Sequence, residues 1–221
     1  MDNILFYLKG LLTQFKNRLT MLNPNDPPKA FLLNEILTSS MNAGLQTRNH
    51  EYPVYKKDVK DFKSKECMVL EIRKILLSYA KGFENISETD HFEKIRSLTQ
   101  HITEKYGDIL HNDTFRLGIS QKIINLFLKY LWCLGWIKEP FHCPFDSIIK
   151  DRLINGDSSI QLADWTKMNS MDEYYEYVKR AKERATASGY SIPSWELHAW
   201  NNRNSNNAQN SIGKDCQDIY K

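Results

Sequence analysis

Long apolar runs, glycine-rich loops and paired cysteines are all missing from this chain, and each absence removes a class of protein. No stretch approaches the roughly 20 consecutive apolar residues that cross a bilayer, and Asp2 in "MDNILFYLKGLLTQFKNRL" stands where a signal peptide wants positive charge, so neither a membrane span nor secretion is expected. The nine glycines are isolated and fall mostly at helix ends. No phosphate-cradling loop or dinucleotide fingerprint is formed, which excludes kinases and dehydrogenases. The four cysteines, Cys67, Cys133, Cys143 and Cys216, make no C-x-x-C pair and no Cys/His group at ligand spacing. They are expected to be reduced cytoplasmic thiols, with no metal, iron–sulfur cluster or other cofactor. Period-two alternation is nearly absent, with "EYPVYK" (51–56) the one candidate for a short extended piece, so the fold expected is all-α.

What is present is enough to bury a core. The chain has 221 residues, of which 41% are hydrophobic and 12% aromatic, and a single helical domain is expected over residues 1–200, followed by a polar, Asn-rich and loosely held tail at 201–221. The net charge of +3 permits nucleic-acid binding without requiring it. Two basic clusters, "KKDVKDFKSKE" (56–66) and "KRAKER" (179–184), fit a solvated helix face better than a phosphate-binding patch.

Helix punctuation is dense. Asp26 followed by Pro27 opens a helix that places Phe31, Leu32, Ile36 and Leu37 at helical spacing. A second runs from about Phe62 to Tyr79 with Met68, Val69, Ile72 and Leu76 on one face, closing at Gly82. Ser87 caps a third bearing Phe92, Ile95, Leu98 and Ile102, which ends before Gly107. A fourth begins near Ser120 and ends at Gly135, with Leu126, Phe127, Leu131 and Leu134 as core positions. A fifth opens near Asp146. Ser170 and Glu173 form a capping box for a sixth that stops near Gly189, and a short last helix follows Pro193.

The stretch "GISQKIINLFLKYLWCLGWIKEPFHCPFDSII" (118–149) carries the chemistry. A tight turn on Gly118, Ile119 and Ser120, with Gln121 following, would lead into a helix N-terminus, whose unpaired N–H groups suit a phosphate. Lys122 would then lie in the first helical turn, where the dipole disfavours a cation and a neutral, nucleophilic amine is better tolerated. Asp146 opens the next apolar run; its plainest role is an N-cap. His142 and Cys143 flank the proline turn, but no acid accompanies them at short range, and a buried cysteine is usually inert. Asp113 is read as a turn cap.

"GISQK" resembles the Gly-x-Gly-x-Lys end of the hairpin in the helix-hairpin-helix DNA glycosylases, and "CPFD" resembles the Pro-x-Asp turn that follows it there. The resemblance covers about 32 residues, 118 to 149, and also extends to a group of bacterial proteins sharing "QK", "LKYLW" and "HCPFD". It implies two helical lobes around a central hairpin, a DNA partner, and excision of a modified or damaged base by N-glycosidic cleavage, with abasic-site lyase activity if Lys122 attacks the sugar. It implies the oxoguanine or alkyl-base type without an iron–sulfur cluster. Lys122 and Asp146 are the implied catalytic pair, and Gly118, Ile119, Ser120 and Gln121 the implied contacts to the DNA backbone. For the extruded base, the aromatics Trp165, Trp195 and Trp200 are candidate pocket walls, with His142 and Glu196 as candidate polar contacts. Two other readings stay open: a non-catalytic helix-hairpin-helix DNA-binding protein, and an all-α interaction or regulatory protein. They differ from the enzyme in geometry, since catalysis needs the Lys122 amine and the Asp146 carboxylate in one cleft.

Overall fold

The computed structural model describes residues 26–202 except residue 48. The N-terminal segment, Cys216 and all but the first two positions of the expected tail lie outside the described residues. Among those described, the chain is all-helical, with seven α-helices and three short 3-10 turns. α1 spans Pro27–Leu45, α2 Phe62–Gly82, α3 Glu88–Tyr106, α4 Leu117–Cys133, α5 Ser147–Ile154, α6 Met171–Ala187 and α7 Ile192–Asn201. No described helix is long and apolar enough to cross a membrane. The extended piece expected at 51–56 amounts to one isolated antiparallel bridge between Tyr55 and Leu110.

Local chemistry explains most boundaries. Asp26, Asp61 and Asp146 each accept a backbone N–H of the helix they precede, and Ser87 with Asp90 and Ser170 with Glu173 form reciprocal capping boxes. Apolar spacing located the buried face of α2 and α3 correctly, with Met68, Ile72, Leu76, Ile95, Leu98 and Ile102 almost wholly excluded from solvent. It erred at three positions: Phe31 and Leu32 of α1 and Leu134 after α4 are exposed, because α1 turns only its Ile36–Leu37–Met41 stripe inward and the chain has already left the helix at Leu134.

α4 is the axis of the molecule, packed chiefly on α1 and α3, while α5, α6 and α7 pack on one another. It begins at Leu117, three residues before the expected start. The turn expected over Gly118–Ser120 is therefore replaced by the first turn of a helix, and Lys122 sits in the second turn, beyond the reach of a terminal dipole. The physical reason is Gly118. A Cβ there would fall 1.8 Å from the carbonyl oxygen of Trp165, and the Gly118 N–H donates to Met168 O at 2.9 Å. The glycine serves close backbone approach between α4 and the 165–168 loop, where a turn conformation is not required.

The interior also holds a polar chain. Tyr79 OH meets His91 Nδ1 at 2.8 Å, and His91 Nε2 meets Asn125 Oδ1 at 2.9 Å. The Asn125 amide donates to Cys143 O and to Tyr174 OH, each at 3.0 Å. Tyr174 OH then reaches His142 Nδ1 at 2.9 Å, and His142 Nε2 reaches Glu88 at 3.1 Å. One direction satisfies every member: each tyrosine donates its O–H to a Nδ1, and each neutral histidine donates its Nε2–H onward. Burial depresses both imidazoles, His91 to about 3, and for His91 protonation of both rings would also set like charges side by side.

Candidate active site

Gln121 and Asn125 stand one turn apart on α4 and grip the returning loop that leads to Asp146. The Gln121 amide donates to Phe145 O at 2.8 Å while its carbonyl accepts the Phe145 N–H at 3.1 Å. Together with the Asn125 bond to Cys143 O, these contacts fasten the Cys143–Pro144–Phe145 backbone to the helix. Asp146 emerges directly from the clamped turn. Its Oδ1 accepts the Ile149 N–H at 3.1 Å, capping α5, and its Oδ2 lies 3.5 Å from Lys122 Nζ. Both side chains are 13% exposed.

Lys122 and Asp146 thus share one cleft, of about 600 Å³, a volume in the range of ligand pockets. It opens between the end of α1, the start of α4 and α5, and α7. Asn42, Gln46 and Asn49 present amides on one side, Trp165 and Trp200 are aromatic walls, and Asp164 and Thr166 complete the polar lining. Lys122 Nζ stands 4.3 Å from the centroid of the Trp165 ring, a cation–π contact, and Asn49 donates to Thr166 at 3.3 Å. Asp164 is held by Lys150 at 2.7 Å.

The other expected site residues are distributed differently. Gly118, Ile119, Ser120 and Gln121 are buried within α4. The Gly118 N–H is spent on Met168, and those of Ile119 and Ser120 turn back to Arg116 O, so the phosphate cradle expected there is not formed. His142 lies wholly inside the core chain, with both ring nitrogens engaged, and Cys143 is buried, its thiol pushed well up by burial. Glu196 is buried outside the cleft lining and paired with Lys129 at 2.6 Å. Burial raises its carboxyl against the opposing pull of Lys129, with the charge of Asp146 adding to the rise. Trp195 lines a separate depression on the far side of α7. Asp113 pairs with Lys56 at 2.5 Å, and the 179–184 cluster is partly neutralised by Arg180 pairing with Glu176 and Glu183.

Sequence reasoning missed the amide side of the cleft. Asn42 and Gln46 are four residues apart at the end of α1, a spacing that fits one helix face, but Asn49 lies beyond the helix in the following loop, and nothing in the sequence signals that it joins them. No group of histidine, cysteine or acidic side chains able to hold a metal occurs among the described residues. No family model, no curated protein and no solved structure matches the chain.

Proposed function

We propose that the chain is a DNA N-glycosylase that removes a modified or damaged base, with Lys122 and Asp146 as its catalytic pair. The observation that carries this reading is their 3.5 Å approach at the mouth of one polar, aromatic-walled cleft. An extruded base needs aromatic and apolar faces and groups that read its edge. Trp200 offers the first, and Asn42, Gln46 and Asn49 supply the second, since side-chain amides both donate and accept.

In the reaction the C1′–N bond breaks, its electron pair leaves with the base, and the base takes up a proton from water. Positive charge then builds on the sugar, and the Asp146 carboxylate, fixed by the Ile149 N–H, is preorganised to stabilise it. The hydroxide left when water protonates the base takes a proton from the ion-paired Lys122 ammonium, and the freed amine forms the new bond to C1′ and passes its second proton to Asp146. That proton goes to O4′ as the C1′–O4′ bond breaks, giving a Schiff base, and loss of a C2′ proton to water then expels the 3′ phosphate. Gly118–Gln121 are buried in α4 and the N–H groups of Gly118, Ile119 and Ser120 are spent, so this reading needs its DNA-backbone contacts outside that segment.

Borohydride added to the protein with a duplex containing an abasic site is expected to trap a covalent adduct, and Lys122→Met to abolish it. On duplexes carrying 8-oxoguanine or an alkylated purine, Asp146→Asn is expected to bind normally and to lose base release by roughly 100-fold or more, the scale on which a positioned electrostatic group acts. Full excision by Asp146→Asn would overturn the catalytic assignment. Base release without a trapped adduct would replace the amine by an Asp146-activated water.

A further inference from the structure

The depression on the far side of α7 is built from cations and rings. It is lined by Arg152, Asn155, Arg184, Tyr190, Trp195 and His198, and no acidic residue is among its lining. Arg152 is in the last turn of α5 and Arg184 in the last turn of α6. Each guanidinium donates to a carbonyl at a helix end, Arg152 to Asn202 O at 3.3 Å and Arg184 to Leu153 O at 3.2 Å. These bonds hold each planar fork in place, and a guanidinium carries five N–H donors, so several are left to face the depression. Among the described residues no carboxylate lies in ion-pair contact with either. The acid that senses Arg184 is Asp157, whose carboxyl is held low first by the hydroxyl and N–H of Ser159 and only weakly by the charges of Arg180 and Arg184. Tyr190 and His198 add a ring pair with centroids 4.4 Å apart.

We propose that Arg152 and Arg184 bind a phosphodiester of the DNA strand whose base enters the Lys122–Asp146 cleft. The proposal rests on the DNA reading above and supplies the backbone contact that buried Gly118–Gln121 do not make. The two sites share their walls. α5 begins at Asp146 in the first cleft and carries Arg152 at its other end, and α7 puts Trp200 in the first cleft and Trp195 and His198 in the second. Asp146, the N-cap of α5, and Arg152 are six positions apart, about 9 Å along the helix axis at 1.5 Å per residue, a length that spans two to three nucleotides at about 3.4 Å of duplex axis each. Guanidiniums lining one depression can each offer a phosphate N–H donors in a planar fork, and ring faces beside them match the adjoining sugar or base. No base edge is read here, so the contact positions the strand without specifying its sequence.

Binding of an end-labelled, mixed-sequence duplex, followed by fluorescence anisotropy across a salt series, tests this. Arg152→Gln and Arg184→Gln are each expected to weaken binding roughly tenfold on every sequence and to flatten the slope of log K against log salt by about one. Arg152→Lys keeps a cation and is expected to keep most of the slope, which separates charge from the loss of a helix-end bond. Gln variants that melt like the parent and bind with its affinity and slope would overturn the proposal while leaving the glycosylase reading untouched. A parent protein that releases no base, yet binds DNA in a manner dependent on the two arginines, would sink the glycosylase and sustain the phosphate site. A parent that binds no duplex at any ionic strength would sink both.

Discussion

α4 carries two polar constellations on different faces, and they are built on opposite principles. On the core face the side-chain amides of Gln121 and Asn125 are spent on partners within the protein: the backbone of 143–145, Gly118 O, His91, Tyr174 and each other. On the cleft face Lys122 and Asp146 meet at 3.5 Å, and each stays 13% exposed. A buried polar group must be fully satisfied because the interior offers no water as a substitute. A pair at the edge of a cleft can exchange its partner for a ligand. The first constellation fixes the turn before Asp146, and the second is the part left for chemistry. Neighbouring residues 121 and 122 therefore serve stability and function separately.

The largest expected effect lies on the core side. Asn125→Leu keeps the branching and heavy-atom count of the side chain but strands the Nε2–H of His91, the carbonyl of Cys143 and an acceptor site on Tyr174, all buried. With about 1–3 kcal/mol for each unsatisfied group, partly relieved by relaxation, a loss of roughly 3–5 kcal/mol is expected, and a melting temperature lower by roughly 10 °C for a chain of this size. Thermal unfolding followed by circular dichroism measures it. A change under about 2 °C would show that the network contributes little and would blur the contrast with the cleft.

Acid sharpens the same contrast at the next magnitude. His91 is held to about 3 in the fold by burial, with repulsion from a protonated His142 adding and the Asn125 bond opposing, against about 6.5 in an unfolded chain. As pH falls below 6.5 the unfolded state takes up a proton that the fold refuses. The stability from neutral His91 is thus complete above pH 6.5 and lost progressively down to about 3. His142, lowered by burial, titrates in the same direction. Unfolding free energies from urea titrations at pH 7.5, 5.5 and 4.5 are expected to fall by a few kcal/mol in all. If a His91→Gln, His142→Gln double variant loses stability as steeply on acidification, other groups are responsible.

The sequence exposed these two constellations unequally. Caps and apolar spacing revealed the helices, because Asp26, Ser87, Asp146 and Ser170 each do locally what their side chains favour. Lys122 and Asp146 were legible as a pair through a motif resemblance, and the structure does bring them together. His142 and Glu196 read as pocket groups because polarity alone does not say which way a side chain turns. Their partners, Tyr174 and Glu88 for one and Lys129 for the other, are 32, 54 and 67 positions away. Gly118 read as a turn because glycine signals backbone freedom and close approach alike, and only the position of the Trp165 carbonyl distinguishes them. Asn125 gave no warning beyond being polar in "INLFL", and nothing in the sequence near it names four partners spread over α3, α4, the return turn and α6.

The smallest expected effect is on the cleft side, and it decides whether Lys122 is there for stability. Lys122→Met keeps the apolar stem and the helix propensity, loses the cation–π contact with Trp165, and leaves the Asp146 carboxylate supported by the Ile149 N–H. A partly exposed ion pair contributes little, about 0–1 kcal/mol. The melting temperature is therefore expected to move by no more than about 3 °C. Asp146→Asn, which still accepts from Ile149, is expected to behave alike, while Asp146→Ala loses the cap and costs about 1 kcal/mol more. The three variants compared by thermal unfolding give a direct reading of the contrast. If Lys122→Met destabilises the fold as much as Asn125→Leu does, the ion pair belongs with the core network as a structural element, and the case for a catalytic amine in this cleft fails. If it leaves the fold intact while removing the borohydride-trapped adduct, the lysine is kept for chemistry at a position where the fold itself does not need it.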